Sequence, residues 1–287
     1  MLKKQRKKVK EMEIIIRITK EAFEQAIPAA REPKGAIFGK LQNKIDRAIE
    51  DIAVDKLGDV GIEAANNNLS GKLATTLRAM AAVEVFLREM RDMDLVLTST
   101  GFGVVSTNDT APASKLRVDA LDGELRVKRL MLEDALMEEC FTLEGWYDQG
   151  LLCIDTLFCF FKFLRQFAGM QAPISKDWEL QQGTILRTES FLREKISDEL
   201  FDDLIMKMAK NALNDKEKGV VHQIRRIVGV AIQGRDDAKE EFFRRLMNTI
   251  ERNLEEFPAY ANSLAFQVNH SKPYENHKED SAFHFVG

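Results

Sequence analysis

Residues 95–118 read LVLTSTGFGVVSTNDTAPASKLRV and decide the expected fold more than any other stretch. Leu95–Leu97 form a β-prone run, and Val104–Val105 resume it after the glycines of Gly101–Gly103. Glycines between two apolar runs are typical of a β-hairpin turn. Pro112 favours a helix start, because the first helical position needs no N–H donor. The stretch therefore predicts a single hairpin that leads into a helix.

Outside this stretch, apolar side chains recur mostly at helical spacing. Helices are predicted at about residues 20–31, 38–57, 70–90, 112–140, 197–208, 218–232 and 236–256. The predicted fold class is mainly α: a multi-helix bundle with one β-hairpin insertion and extended N- and C-terminal arms. The predicted organisation is a basic arm over 1–18, a helical body over 19–258 with the hairpin at about 94–106, and an extended arm over 259–287.

Polar and glycine residues mark several expected helix ends. Thr19, Ser70 and Ser197 precede apolar stripes and are candidate N-caps. Gly58 follows the stripe of residues 38–57 and is a candidate C-cap. Residues 174–194 fit a helix only loosely, and a break is expected near Gly183.

The aromatic-rich run Leu151–Leu164 is apolar nearly all round. It contains Asp155 and Lys162 and is shorter than the roughly 20 residues that a membrane-spanning helix needs. We interpret it as a buried helix at the centre of the body, and we expect no membrane partner.

Charge is unevenly distributed along the chain. The first twenty residues carry eight basic and two acidic side chains, a net charge of +6, which leaves −10 for residues 21–287. The basic residues with a possible acidic or phosphate partner are Lys3, Lys4, Arg6, Lys7 and Lys8. No aromatic side chains lie among them to stack on bases, so the pattern favours non-specific contact, or simply a solvated terminus.

No pattern of catalytic or metal-ligating residues is found in the sequence. Gly101–Gly103 lacks the third glycine and the following helix of a dinucleotide loop. His270, His277 and His284 are seven residues apart, a spacing without meaning in an extended segment. The neighbours of Cys140, Cys153 and Cys159 in the sequence are mostly apolar, and no motif supplies a neighbouring base. We therefore predict no enzyme activity, no cofactor and no metal site.

The last thirty residues have no helical period and carry isolated aromatic side chains. Burying Tyr274, Phe283 and Phe285 would give about 2 kcal/mol each. Fixing the backbone costs about 1–2 kcal/mol per residue, so this arm cannot order itself. We expect it to be disordered or to be held by a partner. The predicted subunit contacts are Leu97, Phe102 and Val104 of the hairpin and Tyr274, Phe283 and Phe285 of the arm.

Three stretches of the chain resemble the head–tail connector (neck) proteins of Bacteroidetes phages and prophages. They are the hairpin-to-helix run Leu95–Thr98, Gly101–Ser106 and Ala111–Lys115; the short motif Asp177–Leu180; and the tail with Tyr274–Asn276, Lys278–Asp280 and Phe283–Phe285. They occur in the same order along nearly the whole chain. The first stretch is the specific one.

The resemblance implies a structural virion protein that is made in the cytoplasm of the bacterial host. Such proteins form homo-oligomeric rings beneath the portal and extend its channel, through which double-stranded DNA passes without specific binding. The implied partners are further copies of the chain, the portal protein and other neck or tail proteins. Neither a cofactor nor an active site is implied. The acidic balance of residues 21–287 would suit a channel wall, and equally a solvated surface.

The alternative is a cytosolic helical protein that binds nucleic acid through its basic N-terminus. The mass of the particle separates the two classes, because a connector joins a ring of many subunits. The alternative protein would stay small and release nucleic acid as salt is raised.

Overall fold

The structure is a computed structural model that describes residues 13–31, 35–91, 95–98, 101–104, 115–150 and 154–271, the two short segments at 95–104 by their backbone alone. Its elements confirm that the fold is mainly helical. The helices of the first half are α1 (Lys20–Ala26), α2 (Ala36–Ile52), α3 (Gly58–Asn67), α4 (Lys72–Glu89) and α5 (Lys115–Phe141). Those of the second half are α6 (Phe163–Gln166), α7 (Ser175–Lys195), α8 (Asp198–Ala209), α9 (Asp215–Ile232), α10 (Asp236–Glu251), α11 (Pro258–Ala261) and α12 (Leu264–Asn269).

One continuous cluster of buried apolar side chains runs from Ile14 to Tyr260. Its centre in the first half is α4, which packs against α1, α2, α3 and α5. In the second half α9 packs against α6, α7 and α10. Helices α5 and α7 contact each other and join the two halves.

The segment 13–18 crosses the first helices in an extended conformation. Ile14, Ile16 and Ile18 alternate into the core, as expected for a period of two. The N–H of Ile18 donates to Asp46 Oδ1 at 2.9 Å, and Arg78 Nε donates to the Arg17 carbonyl at 2.8 Å. The prediction of an arm over 1–18 is therefore wrong for residues 13–18, which belong to the core; residues 1–12 lie outside the described part.

Between α2 and α3 the chain makes one wide π-helical turn, Ala53–Leu57. Gly58 follows with φ +58°, a conformation that favours glycine, but the chain returns to a helix at once instead of ending there. The Trp146 indole Nε1 donates to the Lys56 carbonyl at 3.0 Å. The wide turn is thus held by a side chain ninety residues away in the sequence.

Two short antiparallel strands follow α4: β1 (Leu95–Thr98) and β2 (Gly101–Val104). The register sets Leu95 opposite Val104 and Leu97 opposite Phe102. Helix α5 then runs for 27 residues and packs along α4.

The run predicted as a buried helix is not helical over residues 154–162; only the single turn α6 follows. Burial is as expected, since Leu157, Phe158 and Phe161 are almost fully enclosed. Backbone amides of this segment donate to the side chains of Glu189 and Asp134 instead of to a helical ladder. The prediction failed because these acceptors come from α7 and α5.

Two further expectations in the second half are wrong. Helix α7 is continuous through Gly183, where a break was expected. The chain also does not become extended at residue 259, because α11 and α12 follow and Tyr260 is fully buried. Residues 272–287, with the predicted contacts of the arm, lie outside the described part.

Within the described residues, no helix is both long and apolar enough to cross a membrane.

Candidate interaction surfaces

Two buried carboxylates hold the extended segment 154–162 in the interior. Glu189, which is 1% exposed, accepts from the N–H groups of Leu157 and Phe158 at 2.9 and 2.8 Å. Asp134 accepts from the N–H groups of Phe161 and Lys162 at 3.0 and 2.8 Å. Each acid therefore supplies two acceptors to backbone groups that have no helical partner, which is a structural role.

Burial raises the pKa of both acids. Desolvation raises the pKa of Glu189 to about 7 and that of Asp134 to about 6, although the accepted hydrogen bonds oppose the change. Raised pKa values also occur in general acids. Here every oxygen of both groups is directed at the backbone, so no acid is free to meet a substrate at these positions.

The described cysteines are not activated. Burial raises the pKa of the Cys140 and Cys159 thiols to about 12, so both stay protonated and unreactive at neutral pH. Cys153 lies outside the described part. Among the residues that the structure describes, no group of three or more histidine, cysteine or acidic side chains is placed to hold a metal ion.

An apolar groove runs between the first half of α5 and residues 165–174, which comprise the end of α6 and the loop after it, with a volume of about 710 Å³. The apolar side chains that line it are Ala120, Val127, Met131, Phe161, Ala172, Pro173 and Ile174. Met131 is 58% exposed and Ile174 53% exposed, and Leu116, 80% exposed, continues the same face of α5. Large apolar side chains clustered at this exposure are typical of a surface that a partner covers. We call this surface the apolar groove.

A second groove, of about 610 Å³, lies between the end of α7 and the first half of α10. It is formed by Phe191 and Lys195 of α7 with Lys239, Glu240, Phe243 and Arg244 of α10. The rings of Phe191 and Phe243 are 6.3 Å apart, and Lys239 Nζ lies 4.9 Å from the centre of the Phe191 ring. We call this surface the cationic groove. It combines an aromatic floor with three positive groups and one negative group.

The side chains predicted as contacts are not among those described. Leu97, Phe102 and Val104 are described by backbone alone, while Tyr274, Phe283 and Phe285 and the basic residues Lys3, Lys4, Arg6, Lys7 and Lys8 lie outside the described ranges. Of the three histidines with seven-residue spacing, only His270 is described. Its ring stacks on Phe266 at 4.0 Å, and its Nε2 lies 3.7 Å from Glu251 Oε1.

Sequence reasoning missed both grooves. A signal for the cationic groove was present, because Phe191 with Lys195 and Lys239 with Phe243 are each four residues apart and so share a helix face. The pairing of these faces across α7 and α10 is a tertiary feature. The apolar groove depends on the loop that follows α6, whose path the sequence does not reveal.

Comparison with known proteins gives one partial match. Residues 39–138 match a family described as Family of unknown function (DUF6712). This span, less than half of the chain, runs from α2 into the last turns of α5 and includes both strands. No curated protein and no solved structure matches the chain.

Proposed function

We propose that this chain is a structural virion protein that forms a ring of the phage neck and extends the portal channel for the passage of DNA. The resemblance of residues 95–115 to head–tail connector proteins is the starting point. The structural observation that carries the proposal is the apolar groove. It lies along α5, the helix that begins where that stretch of resemblance ends.

A ring requires each subunit to cover a surface of its neighbour. The exposed apolar side chains Leu116, Met131 and Ile174 supply such a surface, and each can bury area worth about 25 cal/mol per Å². The strands β1 and β2 immediately precede α5. An isolated two-stranded unit is marginal in water, so a covering partner would also stabilise the hairpin.

The interior supports a structural role in a different way. The buried acids Asp134 and Glu189 are engaged by the backbone, and the thiols of Cys140 and Cys159 are held protonated. These groups stabilise the fold and leave the surfaces as the candidate functional regions of the described chain.

The test is the mass of the particles formed by the full chain, alone and together with the portal protein encoded in the same genome. We expect rings of many subunits by mass photometry and electron microscopy. Introducing charge with Met131→Glu and Ile174→Glu should reduce assembly at least tenfold without loss of helical circular dichroism. Leu180→Glu is the matched control, since Leu180 is 64% exposed on α7 and does not line the apolar groove.

Two results would contradict the proposal. One is a chain that stays monomeric with and without the portal protein. The other is a pair of groove variants that assemble as the native chain does. A monomer that instead binds nucleic acid, and loses it as salt is raised, would favour the alternative of a nucleic-acid-binding protein.

A further inference from the structure

We propose that residues 279–285 of this chain, Glu-Asp-Ser-Ala-Phe-His-Phe, dock into the cationic groove of the same molecule. The inference does not depend on the proposed function, and it replaces the expectation that Phe283 and Phe285 contact another subunit with a contact inside the molecule. It rests on the charge and aromatic character of the groove and on the place where the described chain ends.

The cationic side chains of the groove have few acidic partners among the described residues. Among the described side chains, Lys239 and Arg244 form no ion pair, and the one acidic partner of Lys195 is the exposed Glu194, at 3.6 Å. Phe191 remains 39% exposed although it lies between two cations and beside Phe243. An aromatic floor with cations at its rim suits a ligand that carries both carboxylates and rings.

The segment 279–285 has this chemistry. Glu279 and Asp280 supply two carboxylates, and Phe283 and Phe285 supply two rings. In an extended segment alternate side chains point to the same side, so both rings can face the groove floor together while His284 faces away. The acids precede the rings, so they can reach the rim without crossing the floor.

The last described residues, at His270 and Ser271, lie near the face of α10 that leads to the groove. With 100° between successive helical residues, Glu240, Arg244 and Glu251 fall within about 40° of one another. His270 lies against Glu251, which places the beginning of the tail at the C-terminal end of this face. From Glu251 the groove begins at Arg244, about 10 Å along the helix axis at 1.5 Å per residue.

The connection after Ser271 is long enough for residues 279–285 to reach the cationic groove. Seven residues lie between Ser271 and Glu279, and the eight residue steps from one to the other span up to about 26 Å when extended. The far end of the groove at Lys239 is about 18 Å from Glu251 along the axis. A short flexible connection gives an effective concentration of about 1 mM, so even a contact with a Kd of about 0.1 mM would be about 90% formed within the molecule.

The experiment measures amide hydrogen exchange of residues 279–285 in the full chain at low micromolar concentration. We expect exchange about tenfold slower in the native chain than in a groove variant with Lys239→Glu and Arg244→Glu. The tail variant with Glu279→Lys and Asp280→Lys should lose protection to the same extent. Combining all four substitutions should restore the slower hydrogen exchange, because the groove then carries the negative charges and the segment the positive ones.

The matched control is Lys40→Glu with Arg47→Glu, two exposed cations on one face of α2. It changes the net charge as the groove variant does and should leave the exchange of residues 279–285 unaltered. Circular dichroism of each variant verifies that the helices are intact.

Four outcomes would overturn the proposal. The native segment could exchange at the rate of an unstructured peptide, or the four-substitution chain could fail to regain protection. Protection that rises with protein concentration would place the segment on a second copy instead. Binding of a labelled single-stranded oligonucleotide that the groove variant loses and the tail variant keeps would assign the groove to nucleic acid.

Discussion

The close approach of Gly229 in α9 to the backbone of Phe167 leads to a quantitative prediction. A Cβ at position 229 would lie 2.5 Å from the Phe167 carbonyl carbon and 2.9 Å from its Cβ, and closer still to its carbonyl oxygen. Gly229→Ala must therefore move α9 away from the Phe167 backbone. Forcing one extra methyl group into a packed core costs about 1–3 kcal/mol, and the contact with backbone favours the upper half of that range.

The same substitution brings a local gain, since alanine is favoured over glycine within a helix by about 1 kcal/mol. The net expectation for Gly229→Ala is a loss of about 1–2 kcal/mol in the free energy of unfolding. The control is Gly219→Ala on the same helix, where a Cβ would meet nothing within 4 Å. It should stabilise the chain by up to about 1 kcal/mol.

Urea denaturation followed by circular dichroism at 222 nm measures both variants. A difference of about 2–3 kcal/mol, with opposite signs for the two positions, is expected. If Gly229→Ala were neutral or stabilising, the tight contact between α9 and Phe167 would not exist as described.

Three further predictions concern groups in the interior. The pKa of Glu189 is raised in the folded state from 4.5 to about 7, so the stability it contributes is present below pH 4.5 and is lost as pH rises through 7, by up to about 3 kcal/mol. Glu189→Gln should flatten the pH dependence of the urea midpoint over that range, and an unchanged slope would contradict the assignment. Trp146→Phe should cost about 1–2 kcal/mol, because the Lys56 carbonyl loses its indole donor; a melting temperature equal to that of the native chain would refute it. Cys140, which is fully buried, should react with a thiol reagent only after denaturation, as followed by mass spectrometry, and labelling of Cys140 in the native chain would disprove its burial.

The features that local sequence predicts well are those with local causes. Thr19 and Ser197 cap α1 and α8 as expected, each accepting from an N–H three residues ahead. The apolar stripe of α4 is buried along its length. Ser70 is an exception, because Gly71 takes the N-cap position of α4 and no side chain caps it.

The features that failed have causes distant in the sequence. The aromatic segment 154–162 has the composition of a buried helix, but acceptors from α5 and α7 satisfy its backbone and remove the need for a helical ladder. The buried isoleucines of residues 14–18 belong to the core because α2, α3 and α4 form a surface for them. No local pattern reveals such a surface before the helices are packed.

The segment 13–18 also fixes how the molecule would respond to mechanical load. Asn66 bonds the backbone of Glu13 and Ile15, Asp46 bonds Ile18, and Arg78 bonds the carbonyl of Arg17. A pull along the segment would therefore load four hydrogen bonds to side chains of three helices. Tension on residues 13–18 would in this way be shared among α2, α3 and α4.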